Sequence, residues 1–267
     1  MASFDPVDYG LPDELVVQAD GPVRLVTLNR PGDLNGANRP MHQALAGLWA
    51  QLDRDDDARA VVLTGSGKAF SAGGDFDYMQ ENIDDEAMRA ATMAEGRAII
   101  EGMVRCRLPV IAAVNGPAVG LGCSLALLCD IVLMAEGSFL ADPHLRMGLV
   151  PGDGGMTWPA LIGLSRAKEY LFLGARVPAE DAVRMGLASR TVAPATLLDE
   201  ALELARKLTQ VPAAALQDTK RALNSYLEVQ LDHAFAGGLS GELTSMSSDE
   251  HRDAVAAARA KAANRSR

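Results

Sequence analysis

The sequence predicts an α/β protein with a helical C-terminal region, on three observations. Apolar runs of strand length recur at ARAVVLTG (58–65), PVIAAVNG (109–116) and DIVLMAE (130–136). Segments with helical spacing stand between them. After about residue 155 nearly every periodic segment is helical, so strands and helices alternate first and helices follow.

Residues 14–30 hold two β-rich runs on either side of Asp20-Gly21, which reads as a hairpin. Residues 40–53 open with Pro40 at a first helical position and keep helical spacing at Met41, Leu45, Leu48 and Leu52. A strand over 58–65 leads into the small-residue loop GSGKAFSAGGD, and 86–105 reads as a helix. The run 109–116 ends in Asn115-Gly116 and reads as a buried strand and a turn. GLGCSLALLCD (120–130) reads as a short buried helix, followed by the strand 130–136. Beyond it, GMTWPALIGLSRAKEYLFLG, AEDAVRMGL, ATLLDEALELARKL and AAALQDTKRALNSYL all read as helices, before the basic tail ARAKAANRSR.

A chain of 267 residues that is 48% hydrophobic can bury a sizeable core, as one large domain or as one domain with an appendage. Its net charge of −10 disfavours a nucleic-acid partner, although a few local cations can still hold a small anion. Cys106, Cys123 and Cys129 form no CxxC pair and read as reduced thiols of an intracellular protein. The acidic N-terminus lacks the apolar stretch of a signal peptide, and no apolar run approaches the ~20 residues of a membrane span. A cytoplasmic protein with no membrane contact is expected.

GSGKAF fails the phosphate-loop pattern because Ala69 follows Lys68, and Leu125 breaks GxGxxG at Gly120. Neither GxSxG nor HExxH occurs. The four histidines are scattered and the cysteines lack ligand spacing, so no metal is expected. Two glycine-rich turns remain, AFSAGGD (69–75) and GPAVGLG (116–122), each beside a predicted strand. Small residues let a ligand carbonyl approach backbone N–H groups, and the second turn opens a helix. Facing one another they would form an oxyanion hole; taken singly, each reads as an ordinary tight turn.

Over residues 15–265 the chain resembles the crotonase (enoyl-CoA hydratase/isomerase) superfamily. Five motifs in order carry the resemblance: VTLNRPGDLNGAN, VVLTGSGKAFSAGGD, PVIAAVNGPAVGLGCSLALLCDI, GLVPGDGG and AEDAVRMGL. It implies a spiral of ββα units over residues 1–195 and a helical C-terminal trimerisation region over 196–267. It also implies an acyl-CoA substrate, with CoA entering as part of that substrate and no separate cofactor. A homotrimer or a dimer of trimers is expected. Carried over by motif, the oxyanion donors are the N–H groups of Gly74 and Leu121. The loop Ala72, Gly73, Gly74 and Asp75 is expected to line the thioester and adenine region. Arg30, Lys68 and the basic C-terminal helix are the available cations for the CoA phosphates.

The chain departs from enoyl-CoA hydratases at their two catalytic glutamates, where Ser124 and His144 stand. A serine hydroxyl stays protonated near neutrality and cannot replace a carboxylate as a base. The stretch DPH…GLVPGDGG with Trp158-Pro159 resembles the same region of oxocamphor hydrolase, a crotonase relative that cleaves a C–C bond of a cyclic β-diketone. That resemblance pairs His144 with Asp153 and adds His42 and Glu242. It makes Asp153 the orienter of a His144 base poised near neutrality, with Ser124 hydrogen-bonding the water. His42 otherwise reads as a residue on the polar side of its helix, and His233 and His251 as surface residues. The first expectation is a lyase adding water to, or isomerising, an unsaturated acyl-CoA. The alternatives are a hydrolase of a β-diketone or β-keto acyl-CoA and a non-catalytic acyl-CoA- or RNA-binding member.

Overall fold

The Asp20–Gly21 turn closes the first hairpin, with Asp20 opposite Val23. The computed structural model describes residues 4–265, and within them all side chains except those of 230, 233, 234 and 263–265; the expectation for His233 therefore lies outside the described residues. The chain runs β1 (Asp5–Pro6), β2 (Leu15–Asp20), β3 (Val23–Leu28), α1 (Arg39–Arg54), β4 (Ala60–Gly65), α2 (Phe76–Asp84) and α3 (Glu86–Arg105). It continues with β5 (Val110–Val114), β6 (Ala118–Val119), α4 (Leu121–Leu127), β7 (Ile131–Ala135) and β8 (Phe139–Ala141). Two 3₁₀ turns follow, His144–Met147 and Gly155–Thr157. The remainder is α5 (Trp158–Ile162), α6 (Leu164–Leu173), β9 (Arg176–Pro178), α7 (Ala179–Met185), β10 (Arg190–Val192), α8 (Leu197–Thr209), α9 (Ala213–Ser245) and α10 (Asp249–Arg265).

The main sheet has the order β1-β2-β3-β4-β5-β7-β10, antiparallel across β1-β2-β3 and parallel from β3 onward. Every residue of β4 and β5 is buried, as parallel strands covered on both faces require. One face packs into a large core with Leu45, Leu48 and Trp49 of α1 and Ile99, Ile100 and Met103 of α3. Leu197, Ala201, Leu202 and Ala205 of α8 close the other face over Val62, Ile111 and Leu133. A second sheet, β6-β8-β9, stands beside the first and carries the turns of interest.

The mixed α/β architecture with a helical C-terminal region is thus the one the sequence predicts, and three details differ. Helix α2 occupies residues left between the Gly/Ser/Ala loop and the next helix. The Asp75 side chain caps it by accepting from Asp77 and Tyr78 N–H groups, and Asp85 caps α3 in the same way. The short strands β9 and β10 lie within the stretch read as all helix; β10 pairs with β7. Residues 213–227, read as one helix, extend to 245 as the 33-residue α9. Two of its glycines stand close to the neighbouring loop: a Cβ at Gly238 would meet the Gly152 backbone at 3.2 Å, and one at Gly241 the Val150 side chain at 3.2 Å. Among the described residues, no helix is long and apolar enough to cross a membrane.

Candidate active site

The two glycine turns meet. Gly73 sits at φ +95°, and a Cβ there would stand 3.0 Å from Val119 O. Gly120 has φ +52° and ψ −122°, a backbone conformation open to glycine, and lies 3.8 Å from the Gly73 Cα by the same measure. Single bridges of Ala37 with Gly74 and of Ser71 with Ala118 hold the turns in register. The N–H groups of Gly74 and Leu121 donate to no group among the described residues, and both residues line one apolar cavity. Ala72 and Gly73 line it too. Asp75 stands outside it, its carboxylate capping α2 and pairing with Arg30 Nη1 at 3.1 Å. Arg30 is held by Asp33 and Asp75 and by Gly36 O, and α10 directs Arg252 to Asp84 and Arg259 to Asp77. Lys68 is exposed and free of partners among the described residues.

His144 lies on the first 3₁₀ turn, at the cavity wall, with Cε1 3.8 Å from where a Gly120 Cβ would stand. Its orienting partner is Asp142, which the sequence reading missed. The Asp142 Oδ1 accepts from His144 Nδ1–H at 2.5 Å and from the His144 backbone N–H at 3.2 Å. Asp153 lies on the other side of the ring, 3.9 Å from Nε2, and Glu242 Oε1 is also 3.9 Å from Nε2. His144, Asp153 and Glu242 therefore come together as the sequence suggested, with the orienting role moved to Asp142.

Ser124 is corrected as well. Its hydroxyl is buried against Gly120 O at 3.3 Å and Asp153 Oδ1 at 3.4 Å, outside the cavity lining, so it faces the carboxylate rather than a bound water. Asp153 also takes the Gly154 N–H. The turn carrying Asp153 is clamped on both sides. A Cβ at Gly154 would collide with Ser124 Oγ, and one at Gly152 with the Gly238 carbonyl of α9. A glutamate at 124 has no room unless this turn moves.

Charge follows from burial. Burial alone would lower the His144 pKa; the adjacent Asp142 carboxylate, helped by Asp153 and Glu242, outweighs it and raises it well above the ordinary histidine value. The shift runs toward the protonated ring, in the direction opposite to the one burial alone would give. Burial likewise pushes Asp142 up, but the His144 cation and its hydrogen bonds hold it below the usual range. Burial, reinforced by the Asp153 charge, pushes Glu242 up to about 8 against the pull of His144. Glu242 Oε2 is buried with no hydrogen-bond partner among the described residues, as suits a neutral carboxyl.

Asp142, His144 and Asp153 each offer an atom within 4.8 Å of the others, near enough to share a cation. The 2.5 Å Nδ1–Oδ1 separation is that of a shared proton, since two ligands of one metal stand about 3 Å or more apart. Two expectations for the remaining histidines fail. His251 is buried at the N-terminal end of α10, its Nδ1–H donating to Met147 O at 2.6 Å; burial lowers its pKa. His42 is buried and lines the same cavity.

The family model for enoyl-CoA hydratase/isomerase matches residues 18–258. The chain belongs to the enoyl-CoA hydratase/isomerase family. It is 31% identical over 247 residues to the short-chain-enoyl-CoA hydratase of Clostridium acetobutylicum, covering 92% of this chain and 94% of that one. An enoyl-CoA hydratase/isomerase from Mycobacterium paratuberculosis superposes with a TM-score of 0.90 at 48% identity, over 93% of this chain and 99% of that chain. A β-diketone hydrolase from the cyanobacterium Anabaena superposes with a TM-score of 0.82 at 29% identity, over 88% and 94%. Within this enoyl-CoA hydratase/isomerase fold, the clamp on the Asp153 turn is open to test. Gly154→Ala should destabilise by about 1–3 kcal/mol through overpacking. Adding Ser124→Gly should recover part of that loss in chemical denaturation; equal losses in the single and double variants would mean that Ser124 is not the opposing surface.

Proposed function

We propose that the chain is an acyl-CoA enzyme that adds water to an α,β-unsaturated thioester, with the Gly74 and Leu121 N–H groups as the oxyanion hole. One observation carries the reading. His144 Nε2 stands 3.9 Å from both Asp153 Oδ1 and Glu242 Oε1, too long for a direct hydrogen bond and suited to one oxygen between them. That oxygen is the water. As it attacks the β-carbon, Asp153 takes its proton and the thioester oxygen becomes an enolate oxyanion held by the two N–H donors. The neutral Glu242 carboxyl gives a proton to the α-carbon. Water is then fully added, OH to the β-carbon and H to the α-carbon. His144, lying between the two carboxyls, returns the proton from Asp153 to Glu242. No cofactor takes part; CoA is the handle of the substrate, and Lys68, on the loop, is a cation without a partner among the described residues.

A second reading draws on the same water and on the likeness to the Anabaena β-diketone hydrolase. A β-keto acyl-CoA would be attacked at its keto carbon. The C–C bond would break to leave the thioester enolate in the oxyanion hole, and Glu242 would protonate it. An RNA-binding role is disfavoured by the acidic chain, and a merely binding role leaves the buried charge cluster without use. Assay against crotonyl-CoA and a cyclic β-diketone CoA ester separates the two readings. Whichever is turned over, His144→Ala should lower turnover by about 10²–10⁴. Near-wild-type turnover in that variant defeats both.

Glu242 gives a pH test. Its acid form predominates below about 8, so activity should fall as pH rises through about 8. Stability has the same sign. Between the ordinary glutamate value and 8 the folded chain binds the proton more than the unfolded chain does, so stability declines as pH rises across that window and levels above it. Glu242→Gln should flatten the decline in thermal melts between pH 5 and 8; an unchanged slope would mean that Glu242 is not the group titrating.

The assembly is proposed as a homotrimer, or a dimer of trimers, through the C-terminal helices. Leu223 and Tyr226 stand exposed one turn apart on α9, and Phe172 and Leu173 on α6. Tyr226→Asp should shift the mass in sedimentation toward the monomer; a wild-type chain that is monomeric at micromolar concentration rules the assembly out.

A further inference from the structure

A second histidine–carboxylate pair faces the same cavity from a different wall. Asn38 caps α1, and His42 follows one turn later on its buried side, next to Met41. The side chain is 8% exposed, and it lines the cavity. Nδ1–H donates to Glu95 Oε2 of α3 at 2.7 Å, and the ring packs against Tyr78 with centroids 5.6 Å apart. Nε2 has no partner among the described residues.

The other polar groups of this wall are closed off. Thr92 Oγ1 donates to Asn82 Oδ1 at 2.7 Å, so the Tyr78 hydroxyl, 2.7 Å from Thr92 Oγ1, must spend its only proton on Thr92. Asn82 Nδ2 donates to Tyr78 O at 3.0 Å. Around this network the surface is hydrocarbon or glycine: Ala37, Met79, Met93 and Gly96. A wall meant for a plain alkyl chain has no need of a buried imidazole braced by a carboxylate. Holding it there costs side-chain and desolvation free energy that a leucine would not. Glu95 fixes the ring so that Nε2 alone is offered. With one proton on the ring, Nε2 accepts from a hydroxyl; with two, it donates to a carbonyl.

We propose that His42, positioned by Glu95, is a specificity-determining residue that binds an oxygen on the acyl group away from the thioester, so that the substrate is a hydroxy- or oxo-acyl-CoA. The inference rests on the reading that this cavity receives the acyl group of a CoA thioester. The ligand reaches the oxyanion donors at one end and Nε2 at the other, and the apolar wall between them takes its carbon chain. Glu95 touches no ligand and acts through the ring.

The test is binding, which needs no turnover. Affinities are measured by titration calorimetry for hexanoyl-CoA and for its counterparts carrying a hydroxyl or an oxo group at C4, C5 or C6. The proteins are wild type, His42→Phe and Glu95→Gln. Wild type should bind at least one oxygenated thioester on the order of 10-fold more tightly than hexanoyl-CoA. His42→Phe should abolish that preference while holding hexanoyl-CoA within about threefold. Glu95→Gln should weaken the preference without touching hexanoyl-CoA, and whether the hydroxy or oxo series wins identifies the group bound. Equal wild-type affinity for plain and oxygenated chains overturns the proposal, as does a uniform loss in both variants, which marks His42 as structural. If wild type binds none of these thioesters, the acyl-CoA reading itself fails, an outcome distinct from the loss of preference alone. Should His42→Phe not fold, the wild-type preference and Glu95→Gln still decide.

Discussion

The site depends on how closely α9 lies against the turn at Gly152–Gly154. Glycine stands on both sides of that contact, and a methyl group at Gly152 would enter the Gly238 carbonyl. The turn is pressed from its other side by Ser124. With that spacing, Asp153 and Glu242 arrive from loop and helix at the same distance from His144 Nε2. Lengthen it by a side chain and the two carboxyls no longer stand at one distance from Nε2. The shape of the backbone, more than any single hydrogen bond, fixes where the charges sit.

Those charges are sorted by what each can lean on. Asp142 is buried, yet its carboxyl is held below the usual range because it accepts from the His144 ring and from the His144 backbone N–H. Asp153 accepts from Gly154 N–H and from Ser124. Glu242 has neither kind of support at Oε2, so removal from water prevails and it keeps its proton. The result is two carboxyls on either side of one imidazole, each 3.9 Å from its Nε2. Ser124 fits this arrangement as a spacer and a donor to Asp153.

Much of the fold was legible in the chain because its signals are local. The Asp20-Gly21 hairpin, the spacing of Met41, Leu45, Leu48 and Leu52, and the limits of the helix at 86–105 all follow from periodicity and turn chemistry. Helix α2 was hidden because its start is an aspartate cap inside a loop already read for its glycines. Strand β10 is three residues long and earns its place only by pairing with β7. At the site, the residues were legible but their roles were not. Asp142 lies two positions before His144, and the ADPH string does contain the signal, since a short acid at that offset can reach back to a following N–H and ring. His42 looked polar-facing because its partner, Glu95, is 53 positions away, and no window of local sequence joins them. His251 was misplaced for the same reason: its partner is a backbone carbonyl at Met147, 104 positions away.

The C-terminal helices tie the outside of the molecule to its chemistry. A 33-residue helix is about 50 Å long and bends little unless proline or a bulge intervenes. At one stretch α9 shows Leu223 and Tyr226 to the exterior, and farther along it delivers Glu242, with Met246 just past its end, to the cavity. Helix α10 then returns over the 3₁₀ turn of His144, where His251 N–H lies close against Gly148 and its ring holds Met147 O. The His144 cluster is therefore not completed by the sheet and its turns. It is completed by two helices whose other surfaces are free to meet a neighbour, so whatever seats on the exposed face of α9 bears on the same rod that sets the Glu242 carboxyl beside His144.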